Sequence, residues 1–146
     1  MSPSRAEGWK ILLKGRVWRK AEGASDAAMA SLRQAAPAVL PESYYSLLSY
    51  SNGGEGPLPV QPLWIVLYPA EEVAEIARQG TFDEFFSGLF VIGGNGGGEA
   101  VAFDLRTAEP HPLIFFDMTN IDLAESIRLI APNFDAALDL IGREEE

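Results

Sequence analysis

The run Gly93-Gly94-Asn95-Gly96-Gly97-Gly98, followed by Glu99, constrains this chain more than any other segment. It separates the apolar stretch Leu89-Phe90-Val91-Ile92 from residues Glu99 to Leu105, in which Val101, Phe103 and Leu105 alternate onto one face. Two extended apolar runs joined by residues that tolerate positive φ predict an antiparallel hairpin. Pro112 to Phe116 supplies a further strand. These runs lack polar alternation, so the sheet is expected to be covered on much of both faces by helices or loops.

The covering elements are also legible. Ala28, Leu32, Ala35 and Val39 fall on one face of a helix beginning near Ser25 and interrupted at Pro37 and Pro41. Pro41 suits the first turn of a second helix, whose stripe Tyr44, Leu47 and Leu48 runs to Asn52-Gly53-Gly54, with glycine as a left-handed C-cap. The prolines within Glu55 to Pro62 predict an ordered surface loop there, followed by a buried strand over Leu63 to Leu67. A third helix is expected from about Pro69 to Gln79, stopped by Gly80. Thr81-Phe82-Asp83-Glu84 and Asp122-Leu123-Ala124-Glu125 have the form of capping boxes, and Phe134, Ala137, Leu138 and Ile141 mark a last helix before Gly142. Trp9 to Trp18 fits a small hairpin or an amphipathic helix, with the helix slightly favoured. The expectation is a single α+β domain over residues 25–142, a mainly antiparallel sheet flanked by N-terminal and C-terminal helices. A basic segment, 1–24, precedes it, and an acidic tail, 143–146, follows.

Tests for chemistry mostly return negatives. With 146 residues and 47% apolar content, the chain can bury a core without disulfides or metal. It has no cysteine, which removes disulfide frameworks, thiolate nucleophiles and cysteine zinc sites and suits a reducing cytosol. No lysine follows Lys20, so there is no phosphate-binding Gly-x-x-x-x-Gly-Lys loop, and Glu99 stands where a dinucleotide fingerprint beginning at Gly94 would need glycine. His111, between Pro110 and Pro112, is the single histidine, and neither a zinc cluster nor a Ser-His-Asp motif accompanies it. No catalytic residue, cofactor or metal site is expected. The apolar run Ile11-Leu12-Leu13 is far shorter than a signal-peptide core or a membrane span, so the expected location is cytoplasmic.

Charge points instead to binding. The net charge is −10, yet Arg5, Lys10, Lys14, Arg16, Arg19 and Lys20 crowd the first 20 residues, leaving the body strongly negative. Such a surface repels nucleic acid and anionic lipid and speeds encounter with basic partners. The order of motifs adds a family. Leu40-Pro41-Glu42-Ser43-Tyr44-Tyr45-Ser46-Leu47-Leu48, then Asn52-Gly53-Gly54, then Ile92 to Glu99 with Phe103-Asp104, and finally Ile130-Ala131-Pro132-Asn133-Phe134 resembles the SUKH superfamily. The resemblance implies an α+β fold and kinship with fungal cell-wall-synthesis regulators and bacterial immunity proteins that neutralise polymorphic toxins, often nucleases or deaminases. Two departures stand out: Leu32-Arg33-Gln34-Ala35 occupies a helix where members commonly carry a glutamate, and Asn133 replaces a usual serine.

The reading that follows is a non-enzymatic domain that binds another protein, a basic toxin domain in the first instance, and occludes its substrate groove. Expected partner contacts are Asn52, Gly53, Gly54, Glu55, Leu58, Val60, Glu99, Asp104 and Asp117, with the two apolar side chains as anchors. Glu99, Asp104 and Asp117 are expected to share an acidic patch along the sheet rim. The same residues fit a regulatory scaffold for an endogenous protein. A small-molecule binder or hydrolase working at the glycine loop is a third reading, and it requires a deep pocket there.

Overall fold

Leu89–Gly94 and Glu99–Asp104 pair antiparallel across the glycine turn, with Phe90 opposite Phe103 and Gly94 opposite Ala100. A computed structural model describes residues 16–144 and places this hairpin inside a larger meander. In chain order the elements are β1 (Arg19–Lys20), α1 (Asp26–Ala35), α2 (Glu42–Tyr50), β2 (Gly54–Pro57), β3 (Trp64–Leu67) and α3 (Ala70–Gln79). Then come β4 (Leu89–Gly94), β5 (Glu99–Asp104), β6 (Leu113–Asp117), α4 (Leu123–Ser126), β7 (Arg128–Ala131) and α5 (Phe134–Leu138). Among the described residues the strands form one sheet in the order β1-β2-β3-β4-β5-β6-β7, every neighbouring pair antiparallel. The fold is α+β.

The sheet is curled, and residues beyond the last helix reach its opposite edge. The Gly142 N–H donates to the Pro57 carbonyl and the Val17 N–H to the Gly142 carbonyl, each at 2.9 Å, so the chain after α5 closes on the strands at the far edge. Arg16 donates through Nη1 to the carbonyls of Leu138 and Ile141, where a cation suits the exposed end of a helix. One face of the sheet, carrying Val101, Phe103, Leu113 and Phe115, packs against α1, α2, α3 and α5. The other, carrying Leu89, Val91, Ala100, Ala102, Ile114 and Phe116, is covered by Phe82, Phe86, Leu123 and Ile127.

Capping explains most helix starts. Ser25 Oγ accepts from the Ala28 N–H and Asn133 Oδ1 from the Ala136 N–H, as those residue types favour. Several expectations need correction. The first helix ends at Ala35, and Val39 is 73% exposed instead of facing inward. The second ends on Ser51 in extended geometry, not on a left-handed glycine. Gly54–Pro57 is a strand, because its single proline lies at the strand's end, opposite Trp64. Thr81 to Phe86 makes the short helical turn expected of it, closed by the Phe86 N–H on the Phe82 carbonyl at 2.8 Å, and does not extend into a helix, while Asp122 caps α4 but Glu125 turns to the Asn120 amide, so the reciprocal arm of that box is not made. Arg16 to Lys20 contains extended chain and an edge strand; the rest of the hairpin-or-helix expectation, residues 9–15, lies outside the described residues.

Tyr44 joins the layers. Its ring, fully buried, meets Phe103 edge-on at 5.3 Å and Phe134 at 5.4 Å, linking α2 to β5 and α5. Burial pushes its hydroxyl well above the ordinary phenol range, and that hydroxyl has no hydrogen-bond partner among the described residues. Gly93 allows the other essential approach: it pairs with Leu67, and a Cβ there would press on the Val66 carbonyl oxygen.

Gly93→Ala is therefore expected to pry β3 from β4 and cost about 2–3 kcal/mol in urea unfolding. Tyr44→Phe keeps the ring contacts and removes a buried orphan hydroxyl, so stability in the same assay should rise by about 1 kcal/mol.

Candidate functional site

The Asn52 turn is an internal joint. Asn52 Oδ1 accepts from the Ala70 N–H at 2.7 Å and its Nδ2 donates to Glu71 Oε1 at 2.8 Å, so the side chain caps α3 and holds Glu71 below its ordinary carboxylate range. Gly53, with φ of +88°, turns the chain against the Leu67 carbonyl. Gly54 and Gly56 leave β2 bare for the Trp18 indole, which lies where their Cβ atoms would be. Leu58 is 1% exposed and belongs to the main core, which corrects its expected role as a surface anchor. Curling of the sheet around the β2–β3 turn draws it inward. Val60, 39% exposed, remains outside.

The acidic residues separate. Glu55 pairs with Arg19 at 2.9 Å on β2, its side chain on the face opposite the one that bears Glu99. Asp104 stands at the other end of β5 from Glu99, buried and held by Arg106 through two hydrogen bonds of 2.9 Å. The patch expected to unite Glu99, Asp104 and Asp117 does not form, since a six-residue strand lies between its members. Those guanidinium hydrogen bonds hold the Asp104 carboxyl below its usual range.

Glu99 and Asp117, by contrast, are directly opposite on β5 and β6. Like charges in that position repel. Each is compensated locally: Glu99 Oε1 accepts from Asn95 Nδ2 at 2.9 Å, and Asp117 Oδ1 accepts from the Thr119 hydroxyl at 2.7 Å and its N–H at 2.8 Å. The Thr119 hydroxyl hydrogen bond, with the N–H second, holds Asp117 below its ordinary range and therefore ionised near neutrality. Ser126 Oγ ties α4 to this strand end, accepting from the Asp117 N–H at 2.9 Å.

Both carboxylates line an open pocket of about 320 Å³, with Phe115 and the side chains of Glu125 and Arg128. Gln61 reaches it from the β2–β3 turn, and Arg128 makes no ion pair among the described residues. In that turn Leu63 adopts φ of +70°, a left-handed conformation unusual for a leucine, and is 36% exposed. Met118 and Ile121, 36% and 61% exposed, follow Asp117 in the loop that contributes Asn120. The arrangement offers fixed negative charge beside exposed apolar side chains. Among the described residues no group of three or more metal-ligating side chains is assembled. No described helix is long and apolar enough to cross a membrane.

Strand alternation from Glu99 and Asp117 places Phe115 on this face, so that residue was readable in advance. Arg128 was not, because the short run Arg128–Ala131 follows a capping signal and carries no alternation of its own. Gln61 arrives only through the curl of the sheet.

The sequence pattern of the SMI1 / KNR4 family (SUKH-1) matches residues 23–140. No curated protein matches the chain at a significant level.

Two consequences are measurable. Glu99→Gln keeps an acceptor for the Asn95 amide while removing one of two facing charges, so the thermal midpoint at low salt should rise by up to about 3 °C. Asp104 has a folded pKa below its unfolded one, so its stabilisation is present above about pH 4 and lost as pH falls through the lowered value. Asp104→Asn should cost about 1 kcal/mol at pH 7, a difference from the unsubstituted protein that shrinks in acid unfolding.

Proposed function

Because the chain belongs to the SMI1 / KNR4 family (SUKH-1), we propose that it is a non-enzymatic protein-binding domain that neutralises a cognate toxin in the cytosol. The observation that carries this reading is the facing pair Glu99 and Asp117 at the rim of an acidic pocket. Two carboxylates placed to repel each other are relieved when a cation is brought between or above them. A nuclease or deaminase binds nucleic acid through a basic groove, and that groove supplies such cations.

In the proposed complex the negative body of the domain steers the toxin, and Glu99, Asp117 and Glu125 pair with its lysines or arginines. Val60 and Leu63, which flank Gln61 in the β2–β3 turn, and Met118 and Ile121, which follow Asp117, are exposed and serve as apolar contacts. Nucleic acid is then excluded because its site is filled. Asn52, Leu58 and Asp104 take no part, being committed to contacts within the domain, and Glu55 lies on the other face.

Affinity capture with the full chain from its native cell should recover one basic, stoichiometric protein, and a Glu99→Lys/Asp117→Lys variant should not. With the purified partner, that variant should associate about tenfold more slowly at low salt, the difference narrowing as salt is added. An unchanged association rate would remove the charge-steered mechanism, and recovery of an acidic or housekeeping partner instead would remove the toxin.

A further inference from the structure

Two of the four asparagines, Asn52 and Asn95, are followed by glycine. In such a pair no Cβ shields the following backbone nitrogen, so that nitrogen can approach Cγ of the asparagine side chain. The two pairs share this chemistry and differ in what the fold does with them.

Asn52 is clamped. Its Oδ1 accepts from the Ala70 N–H at 2.7 Å and its Nδ2 donates to Glu71 Oε1 at 2.8 Å, both groups of α3. Gly53 is buried, and a Cβ there would stand 2.7 Å from the Leu67 carbonyl oxygen, so its backbone has little room to turn.

Asn95 has the opposite surroundings. Among the described residues its side chain bonds only within its own turn. Its Oδ1 accepts from the Gly97 N–H at 2.9 Å and the Glu99 N–H at 3.3 Å, and its Nδ2 donates to Glu99 Oε1 at 2.9 Å. Gly96, Gly97 and Gly98 are exposed, and the Gly96 N–H makes no hydrogen bond among the described residues. A Cβ at Gly98 would meet nothing within 4 Å, and one at Gly96 only Val66 Cγ2 at 3.9 Å, so this backbone is free to swing.

We propose that Asn95 is a site of spontaneous deamidation through a cyclic imide and that the fold protects Asn52 from the same reaction. The Gly96 nitrogen gives its proton to hydroxide and forms a bond to Asn95 Cγ. Negative charge passes to Oδ1, where the Gly97 and Glu99 N–H groups already donate. The Cγ–Nδ2 bond then breaks, and Nδ2 takes a proton from water and leaves as ammonia. A second water opens the ring at either carbonyl, yielding aspartate or isoaspartate, and nothing is oxidised or reduced.

Either product alters the acidic rim. Aspartate removes the amide donor that holds Glu99 and sets a third carboxylate beside it, across from Asp117. Isoaspartate lengthens the backbone within the turn that fixes the register of Glu99 against Asp117. What this does to partner capture rests on the toxin reading; the modification itself does not.

The full chain carries its own control. Cleavage after arginine places Asn52 in peptide 34–78 and Asn95 in peptide 79–106, and mass spectrometry reads each from the mass gained when an amide becomes an acid. In mildly alkaline buffer with urea, where local sequence alone acts, the two should convert at rates within about twofold of each other. In the folded protein Asn95 should stay within about fivefold of its urea rate, while Asn52, which reacts only after local opening, should slow by at least about a hundredfold. The Asn95→Gln variant, whose extra methylene disfavours the ring, should show no gain in peptide 79–106 over the same period. Equal rates for the two asparagines in the folded protein, whether both fast or both slow, overturn the proposal.

Discussion

The packing of Tyr44 between Phe103 and Phe134 is the contact on which the rest of the molecule depends. It brings a residue of α2, one of the central strand β5 and the first residue of α5 into one buried cluster. Edge-on aromatic pairs contribute about 0.5–1.5 kcal/mol each beyond the area they bury, and here two meet on one ring. β5 is thereby held through Phe103, its penultimate residue. Its two ends become fixed platforms, Glu99 at one and Asp104 with the His111 connection at the other.

The two ends solve opposite electrostatic problems. At the Asp104 end the carboxylate is buried and satisfied within the domain by Arg106, which makes it a structural group. At the other end Glu99 and Asp117 face each other; the groups that hydrogen-bond them carry no positive charge, and Arg128 stands against three carboxylates in the pocket lining. Local hydrogen bonding can keep a carboxylate ionised, but it does not cancel its field at a distance. On a chain of net charge −10 that uncancelled field is the strongest physical argument for a cationic partner.

Glycine serves different ends in the two segments where it is concentrated. Beside Asn52 it permits a turn and lets Trp18 lie flat on β2; at Gly93 it lets β4 approach β3. Neither use requires a ligand. The glycine turn between β4 and β5 matters to the proposed site through Asn95, whose amide holds Glu99 in place, and through the register that sets Glu99 opposite Asp117.

The linear order of residues by itself determined the α+β class, the central hairpin, most of the helices and the sign of the surface, because periodicity, capping residues and net charge are local or additive properties. It also singled out Glu99 and Asp117. It did not reveal β1 or β7, which are two and four residues long and are strands only because a neighbour supplies their hydrogen bonds. Whether Leu58 faced water or core, and whether Asp104 stood beside Glu99 or a strand's length away, was decided by the curl and register of the sheet. Those are relations between distant segments, and no spacing along the chain encodes a distance through space.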